Sequence, residues 1–161
     1  MKTNVIKYLI LLPFFTCFFL TAKARHIAGG EMSYTYLRQG SNPGTGIYRI
    51  ELRLYRDCQS TGAQLDEIAA ITIYKDKNSG IFLQENVPLS RTDVVQLSSP
   101  GPCIDNAPIV CYQIGVYIRE VELAFSDFGY TITYQRCCRI GGITNVLNSS
   151  GSGGTYTATI P

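Results

Sequence analysis

The chain has 161 residues, a formal net charge of +2 and a single histidine, His26. That excludes zinc sites built on two or more histidines and leaves no basic footprint for nucleic acid. Eleven Tyr, 15 Gly and 7 Pro, with many Ile, Val and Thr, favour strands and turns over helices.

Lys2 and Lys7 open the chain as a basic n-region, followed by an apolar run, Tyr8 to Leu20, broken only by Pro13, Thr16 and Cys17. Ala22-Lys23-Ala24 then offers a small-x-small site. This is the layout of a cleavable secretory signal, with the cut expected after Ala24. The run is short for a bilayer crossing, which takes about 20 residues, so contact with the membrane is expected only through the signal before cleavage. Phe14-Phe15-Thr16 ahead of Cys17 argues against lipidation. Cleavage removes Lys2, Lys7, Lys23 and Cys17 but no acid, so residues 25–161 are slightly acidic. They are long enough for one domain with its own core.

Period-2 alternation recurs through the remainder and marks strands. Glu31 to Leu37 is the first, with Met32, Tyr34 and Tyr36 on one face. Residues 39–46 form a polar, Gly-rich loop. Ile47 to Arg56 follows, with Tyr48, Ile50, Leu52 and Leu54 facing one way and Arg49, Glu51 and Arg53 the other, the pattern of a half-buried strand. Ala69 to Lys75, a turn at Asp76-Lys77-Asn78-Ser79-Gly80, and Ile81 to Val87 read as a hairpin. Val94 to Leu97 is a weaker strand, and the Pro-rich stretch 98–108 is irregular. Gly115 to Phe125 alternates again, turns at 126–129 and returns as Tyr130 to Arg139. Residues 140–147 read as a short helix or a loop, 149–154 as a Gly/Ser loop, and Thr155 to Ile160 as the last strand. The expectation is an all-β, immunoglobulin-like two-sheet β-sandwich with disulfides, preceded by a signal-peptide helix: residues 1–24 the signal, 25–161 one domain, the first of a longer protein.

Five cysteines follow the signal: Cys58, Cys103, Cys111, Cys137 and Cys138. In an oxidising compartment most should be bridged, and an odd set leaves one over. Cys58 shares the parity of Ile50, Leu52 and Leu54, and Cys138 that of Tyr130, Ile132 and Tyr134, so a Cys58–Cys138 staple between sheets is expected. A turn at Arg56-Asp57 would favour Cys137 instead. Cys103 and Cys111 flank Pro108 and are expected to close the irregular loop, with Cys137 unpaired. A bond between adjacent Cys137 and Cys138 is the sharper alternative, and it requires a distorted backbone, because neighbours in a strand point to opposite faces.

No catalytic constellation stands out. A nucleophile–histidine pair could use only His26. Asp76-Lys77-Asn78-Ser79-Gly80 resembles the start of a calcium loop, but Val87 stands where the closing Glu belongs. Asp66-Glu67 and Glu120/Glu122 are carboxylate pairs without an identifiable opposing carboxylate. Gly151-Ser152-Gly153-Gly154 lacks the lysine of a phosphate loop. No metal or cofactor is expected. Tyr34, Tyr36, Tyr48, Tyr55, Tyr117 and Tyr134 are candidates for a sugar-stacking platform, although most share parity with aliphatic residues and read as core.

Several stretches together are familiar: His26-Ile27-Ala28-Gly29-Gly30-Glu31, Tyr48-Arg49-Ile50, Leu54-Tyr55-Arg56-Asp57-Cys58, Pro102-Cys103, Val110-Cys111, Gly129-Tyr130, Tyr134-Gln135-Arg136-Cys137-Cys138-Arg139 and Thr155-Tyr156-Thr157-Ala158-Thr159-Ile160-Pro161. The set resembles the N-terminal region of large secreted multidomain proteins of Bacteroidota, which carry PKD-type repeats and a sorting domain of the gliding-motility-associated type. The resemblance covers nearly all of residues 25–161. It implies export, display at the cell surface in adhesion or gliding, and no catalytic residues. The implied partners are neighbouring domains of the same chain, surface polysaccharide or other surface proteins.

Overall fold

The structure, a computed structural model, describes residues 26–75, 80–96 and 110–161. The signal segment with Ala24, the 76–79 turn and Cys103 lie outside the described residues. Seven strands follow in order: β1 (Ile27–Gln39), β2 (Thr45–Asp57), β3 (Ile68–Lys75), β4 (Ile81–Gln96), β5 (Cys111–Ala124), β6 (Tyr130–Arg136) and β7 (Gly154–Ile160). Every pairing is antiparallel, and the spatial order is β1-β2-β5-β4-β3-β6-β7.

β4 makes this one sheet. Its first half pairs with β3, from Ile81 opposite Tyr74 to Pro88 opposite Ile68. Its second half pairs with β5, from Leu89 opposite Tyr117 to Gln96 opposite Cys111. The register slips between Leu89 and Arg91, where the Ser90 hydroxyl accepts from the Ile118 amide at 3.1 Å. Such a bulge bends a strand. The sheet folds over there until its two edges approach: Ile27, at the start of β1, makes a parallel bridge to Arg139 just past β6. The result is nearly barrel-like.

The core lies inside this fold. Alternation in β2 buries Ile50, Leu52 and Leu54, and the facing strands supply Ala69, Ile71, Ile73, Val121, Leu123, Ile132 and Ile160. Each large apolar side chain fully buried contributes roughly 1.5–3 kcal/mol. Gly115 is placed by need: a Cβ there would come within 2.8 Å of Leu65, which seats over β5. Gly129 closes the β5–β6 turn at φ +72, where a Cβ would meet the Ile160 carbonyl.

Several boundaries differ from the sequence reading. β1 begins at Ile27, because residues 29–34 pair along β2 as far as Tyr55. The expected strands 81–87 and 94–97 merge as far as Gln96 into one long strand, Ile81–Gln96, since Pro88 falls where the hydrogen-bond partner changes from β3 to β5, and Leu97 lies outside the described residues. β6 ends at Arg136 rather than Arg139, because Cys138 adopts φ +77 and leaves the extended conformation. Residues 140–147 form turns with no helix, and only a single 3-10 turn, Ser149–Gly151, follows.

Candidate functional site

The two ends of the sheet are unlike. At one end, 40–44 and 125–129 make short hairpin connections. At the other end leave the longer connections 58–67 and 137–153. Both disulfides and the buried polar groups gather at this second end, which is the candidate site.

Cys58 bonds to Cys111, with Cα atoms 5.4 Å apart. Asp57 is registered opposite Tyr112, so Cys58 and Cys111 extend the β2–β5 ladder by one step, and the Cys58 amide donates to the Cys111 carbonyl. The expected Cys58–Cys138 staple is therefore replaced by a bridge between neighbours in the sheet. Parity within β2 does not say which strand lies alongside Cys58, and the phase of β6 ends at Arg136, before Cys138. The expected Cys103–Cys111 bridge is likewise replaced, since Cys111 is taken. Cys137 is not spare: it bonds to Cys138, with Cα atoms 3.7 Å apart. The backbone distortion such a bond requires is present, as φ +77 at Cys138.

Arg56 organises the 58–67 connection from within. Only 5 % exposed, it donates through Nε to the Ala63 carbonyl, through Nη2 to those of Ser60 and Gly62, and through Nη1 to that of Asp57. Asp57 in turn accepts from the Gln59 amide through Oδ1, which starts the turn. Alongside, Asp66 pairs with Arg136 and accepts from the Tyr134 hydroxyl, while its carbonyl accepts from Tyr117 at 2.6 Å. Burial pushes both phenols up to about 12, which keeps them neutral donors.

His26 is fully buried beside this pair, with Nε2 3.1 Å from Arg136 Nη2. Burial first, then the positive charges of Arg136 and Arg56, hold its pKa below the usual histidine value. The neutral ring accepts from the guanidinium through Nε2, which puts its proton on Nδ1. That atom and Arg136 Nε have no hydrogen-bond partner among the described residues. His26 therefore acts as a buried acceptor toward Arg136.

Recesses open at this end. An apolar groove of about 350 Å³ is lined by Ala28, Gly29, Tyr55, Val95, Tyr112 and Ile114, on the outer face of β1, β2, β5 and β4. A more polar cleft of about 360 Å³ lies beside Cys137, between Gln135, Arg136, Gly153, Gly154 and Thr155.

The tyrosines expected to form a platform separate. Tyr117 and Tyr134 are core residues. Tyr36 packs edge to face on Tyr48 at the hairpin end, with ring centroids 5.5 Å apart, and Tyr34 meets Tyr48 at a tilt, 6.3 Å away. Tyr55 alone reaches the groove, and Tyr112 joins it. Tyr112 escapes notice in the sequence because β5 appears to begin at Gly115, after it. Its signal is the Cys111-Tyr112-Gln113-Ile114 alternation, which extends the strand backward. Of the carboxylate pairs, Glu120 is ion-paired with Arg49 at 3.1 Å, and Glu122 anchors the 40–45 turn. No group of three or more His, Cys, Asp or Glu able to hold a metal occurs among the described residues. No helix among them is long and apolar enough to cross a membrane.

Compared with known protein families, curated proteins and solved structures, the chain matches none.

Proposed function

We propose that residues 25–161 form an exported, non-enzymatic immunoglobulin-like domain of a cell-surface protein, which engages its partners through the end that carries the cysteines. The observation that carries this reading is convergence. His26, Arg56-Asp57-Cys58, Cys111 and Arg136-Cys137-Cys138-Arg139 are far apart in the chain but meet at one end. Longer connections on a rigid sheet are where binding residues concentrate. Two disulfides fit an oxidising compartment, in keeping with the signal segment.

Three features support the immunoglobulin-like assignment. The strand order β1-β2-β5-β4 followed by β3-β6-β7 parallels the A-B-E-D and C-F-G order of constant-type domains, with β4 running through both halves. Tyr130, first in β6, donates its hydroxyl to the Ala124 carbonyl at 2.9 Å, six residues upstream, as in a tyrosine corner. The connections at the cysteine end include those between B and C and between F and G, which carry recognition loops in variable domains.

The test is expression of the whole chain with its own signal in a bacterial secretion host. The expected product starts at Arg25 and adheres to cells or their surface polysaccharide, and substitutions in 58–67 or 137–153 weaken adhesion. A product retaining residues 1–24, or a hydrolase activity abolished by one point substitution, would overturn the reading.

The groove favours a second reading, saccharide binding. Tyr55 and Tyr112 line an apolar recess that adjoins Asp57 and Gln59, the pairing of ring faces with polar groups that sugars require. A glycan array on which the chain has no hit, or has hits that Tyr112→Ala leaves unchanged, would refute it.

A further inference from the structure

The Cys137–Cys138 bond does not have the usual reason for a disulfide. A bridge stabilises mainly by removing entropy from the unfolded chain, and the effect grows with the loop closed. Cys58–Cys111 spans a separation of 53 residues; Cys137–Cys138 spans one. The adjacent pair closes almost no loop and holds Cys138 at φ +77, a region that non-glycine residues enter at an energetic cost. Residues kept in such conformations are concentrated at switches and binding sites.

The surroundings allow chemistry. Cys137 is exposed and lines the cleft beside Gln135 and Thr155, so a sulfur nucleophile can reach it from solvent. Arg136 and Arg139 flank the pair in the chain, and cationic neighbours favour the thiolate form of a cysteine released there. The bond is also mechanically connected. The amides of Cys138 and Arg139 both donate to the Ser152 carbonyl, at 3.2 and 3.1 Å. Ser152 Oγ donates to the carbonyls of Leu147 and Asn148. The next amide, Ile140, donates to the Ile27 carbonyl at 3.0 Å. The strained ring thus sits at the root of the 137–153 connection and at the seam where the sheet edges meet.

We propose that Cys137–Cys138 is a thiol-exchange site, opened reversibly by an external dithiol, and that its opening releases the 137–153 connection. The step balances as an ordinary exchange. A thiolate of the dithiol attacks Cys137 Sγ, the bond between the two cysteines breaks, and Cys138 leaves as a thiolate that takes up a proton. The second thiolate of the dithiol then attacks its own mixed-disulfide sulfur and frees Cys137, which is protonated in turn. Two electrons and two protons pass to the cysteine pair, and the dithiol becomes a disulfide. With the ring open, Cys138 can leave the left-handed region, and the two amides bound to Ser152 are no longer held in line. The inference goes beyond the adhesion reading and does not depend on it.

The experiment equilibrates the purified chain, secreted and oxidised, in buffers of reduced and oxidised dithiothreitol. Free thiols are trapped with iodoacetamide and located by mass spectrometry. The expected result is that Cys137–Cys138 opens at a reduced-to-oxidised ratio at least about tenfold lower than Cys58–Cys111. Far-UV circular dichroism stays unchanged, and amide exchange at 138–152 speeds up while the strands stay protected. A Cys137→Ser/Cys138→Gly variant, whose glycine tolerates the positive φ, separates bond from backbone: its exchange at 138–152 should not respond to reductant. The proposal is overturned if the two bridges open together, if Cys137 and Cys138 are recovered as free thiols or bonded elsewhere, if exchange at 138–152 is the same before and after opening, or if the variant still responds.

Discussion

The two ends of this sheet solve the same problem differently. At the hairpin end, turns are held by single local devices: a glycine at φ +72 in the β5–β6 turn, and the Glu122 carboxylate accepting from Ser41, Asn42 and Thr45 in the β1–β2 turn. At the cysteine end, longer connections are held by covalent bonds and by buried charge, with Arg56 and Arg136 drawn under them. Short turns between antiparallel neighbours need little help, because their geometry follows from the strands they join. Longer connections carry more entropy and more unpaired carbonyls, and must be tied from within. The difference teaches where this fold spends its covalent and ionic anchors: under loops free to vary in shape, not under the turns.

The largest effect should come from the longer bridge. Cys58→Ser is expected to lower stability by about 4 kcal/mol, the chain-entropy value for a loop of this length, while Cys137→Ser should cost about 1 kcal/mol or less. Urea unfolding of both variants checks this, and equal losses would break the distinction between the two bridges. Next comes Arg56→Met. It leaves the carbonyls of Ser60, Gly62 and Ala63 without their donor, at an expected cost of about 2–3 kcal/mol. Its amide exchange should rise in 58–67 and not in 40–44; a uniform rise across both ends would show that Arg56 serves the core rather than the loop. At the hairpin end, Tyr130→Phe removes one buried hydrogen bond, to Ala124, and should cost about 1 kcal/mol. A thermal-melt shift larger than that of Arg56→Met would reverse the ranking of the two ends.

The smallest effects separate the ends by pH. His26 has a folded pKa below its ordinary value of 6.5, lowered by burial and then by Arg136 and Arg56. Its contribution is therefore complete above pH 6.5 and declines as pH falls below that value. Glu122 is lowered from 4.5 to about 2, first by the Ser41 hydroxyl, then by Thr45 and the Asn42 amide. Its contribution is complete above pH 4.5 and declines as pH falls toward 2. Acidification should therefore loosen the cysteine end first and the 40–45 turn only later. Proton NMR titration of reporter amides at each end checks the order. His26→Gln should flatten the upper step, and Glu122→Gln the lower.

Much of this fold can be read along the chain. The alternation Ile50, Leu52, Leu54 marks the buried face of β2, and Tyr130, Ile132 and Tyr134 mark that of β6, because a strand facing a core repeats every two residues. The 69–87 hairpin and the turn at 126–129 are equally legible, since glycine and polar residues punctuate apolar runs. At the candidate site, the Arg-Asp-Cys and Arg-Cys-Cys-Arg elements stand out as residues, but their work does not. Arg56 occupies a core-facing position in an alternating strand. Only the carbonyls that fold back over it explain a buried charge there.

What the sequence determined by itself is local: which segments extend, which face of each is apolar, and where short turns fall. Those follow from steric preference and the period of the chain. The tertiary structure alone decided what lies beside what. It set β2 next to β5, and so gave Cys58 the partner Cys111 rather than Cys138. It carried β4 through Pro88 into both halves of the sheet. It brought Tyr112 to Tyr55 and left Cys137 and Cys138 bonded to each other. Partner choice depends on strand order and register across many residues, and the period within a single strand carries no information about its neighbours.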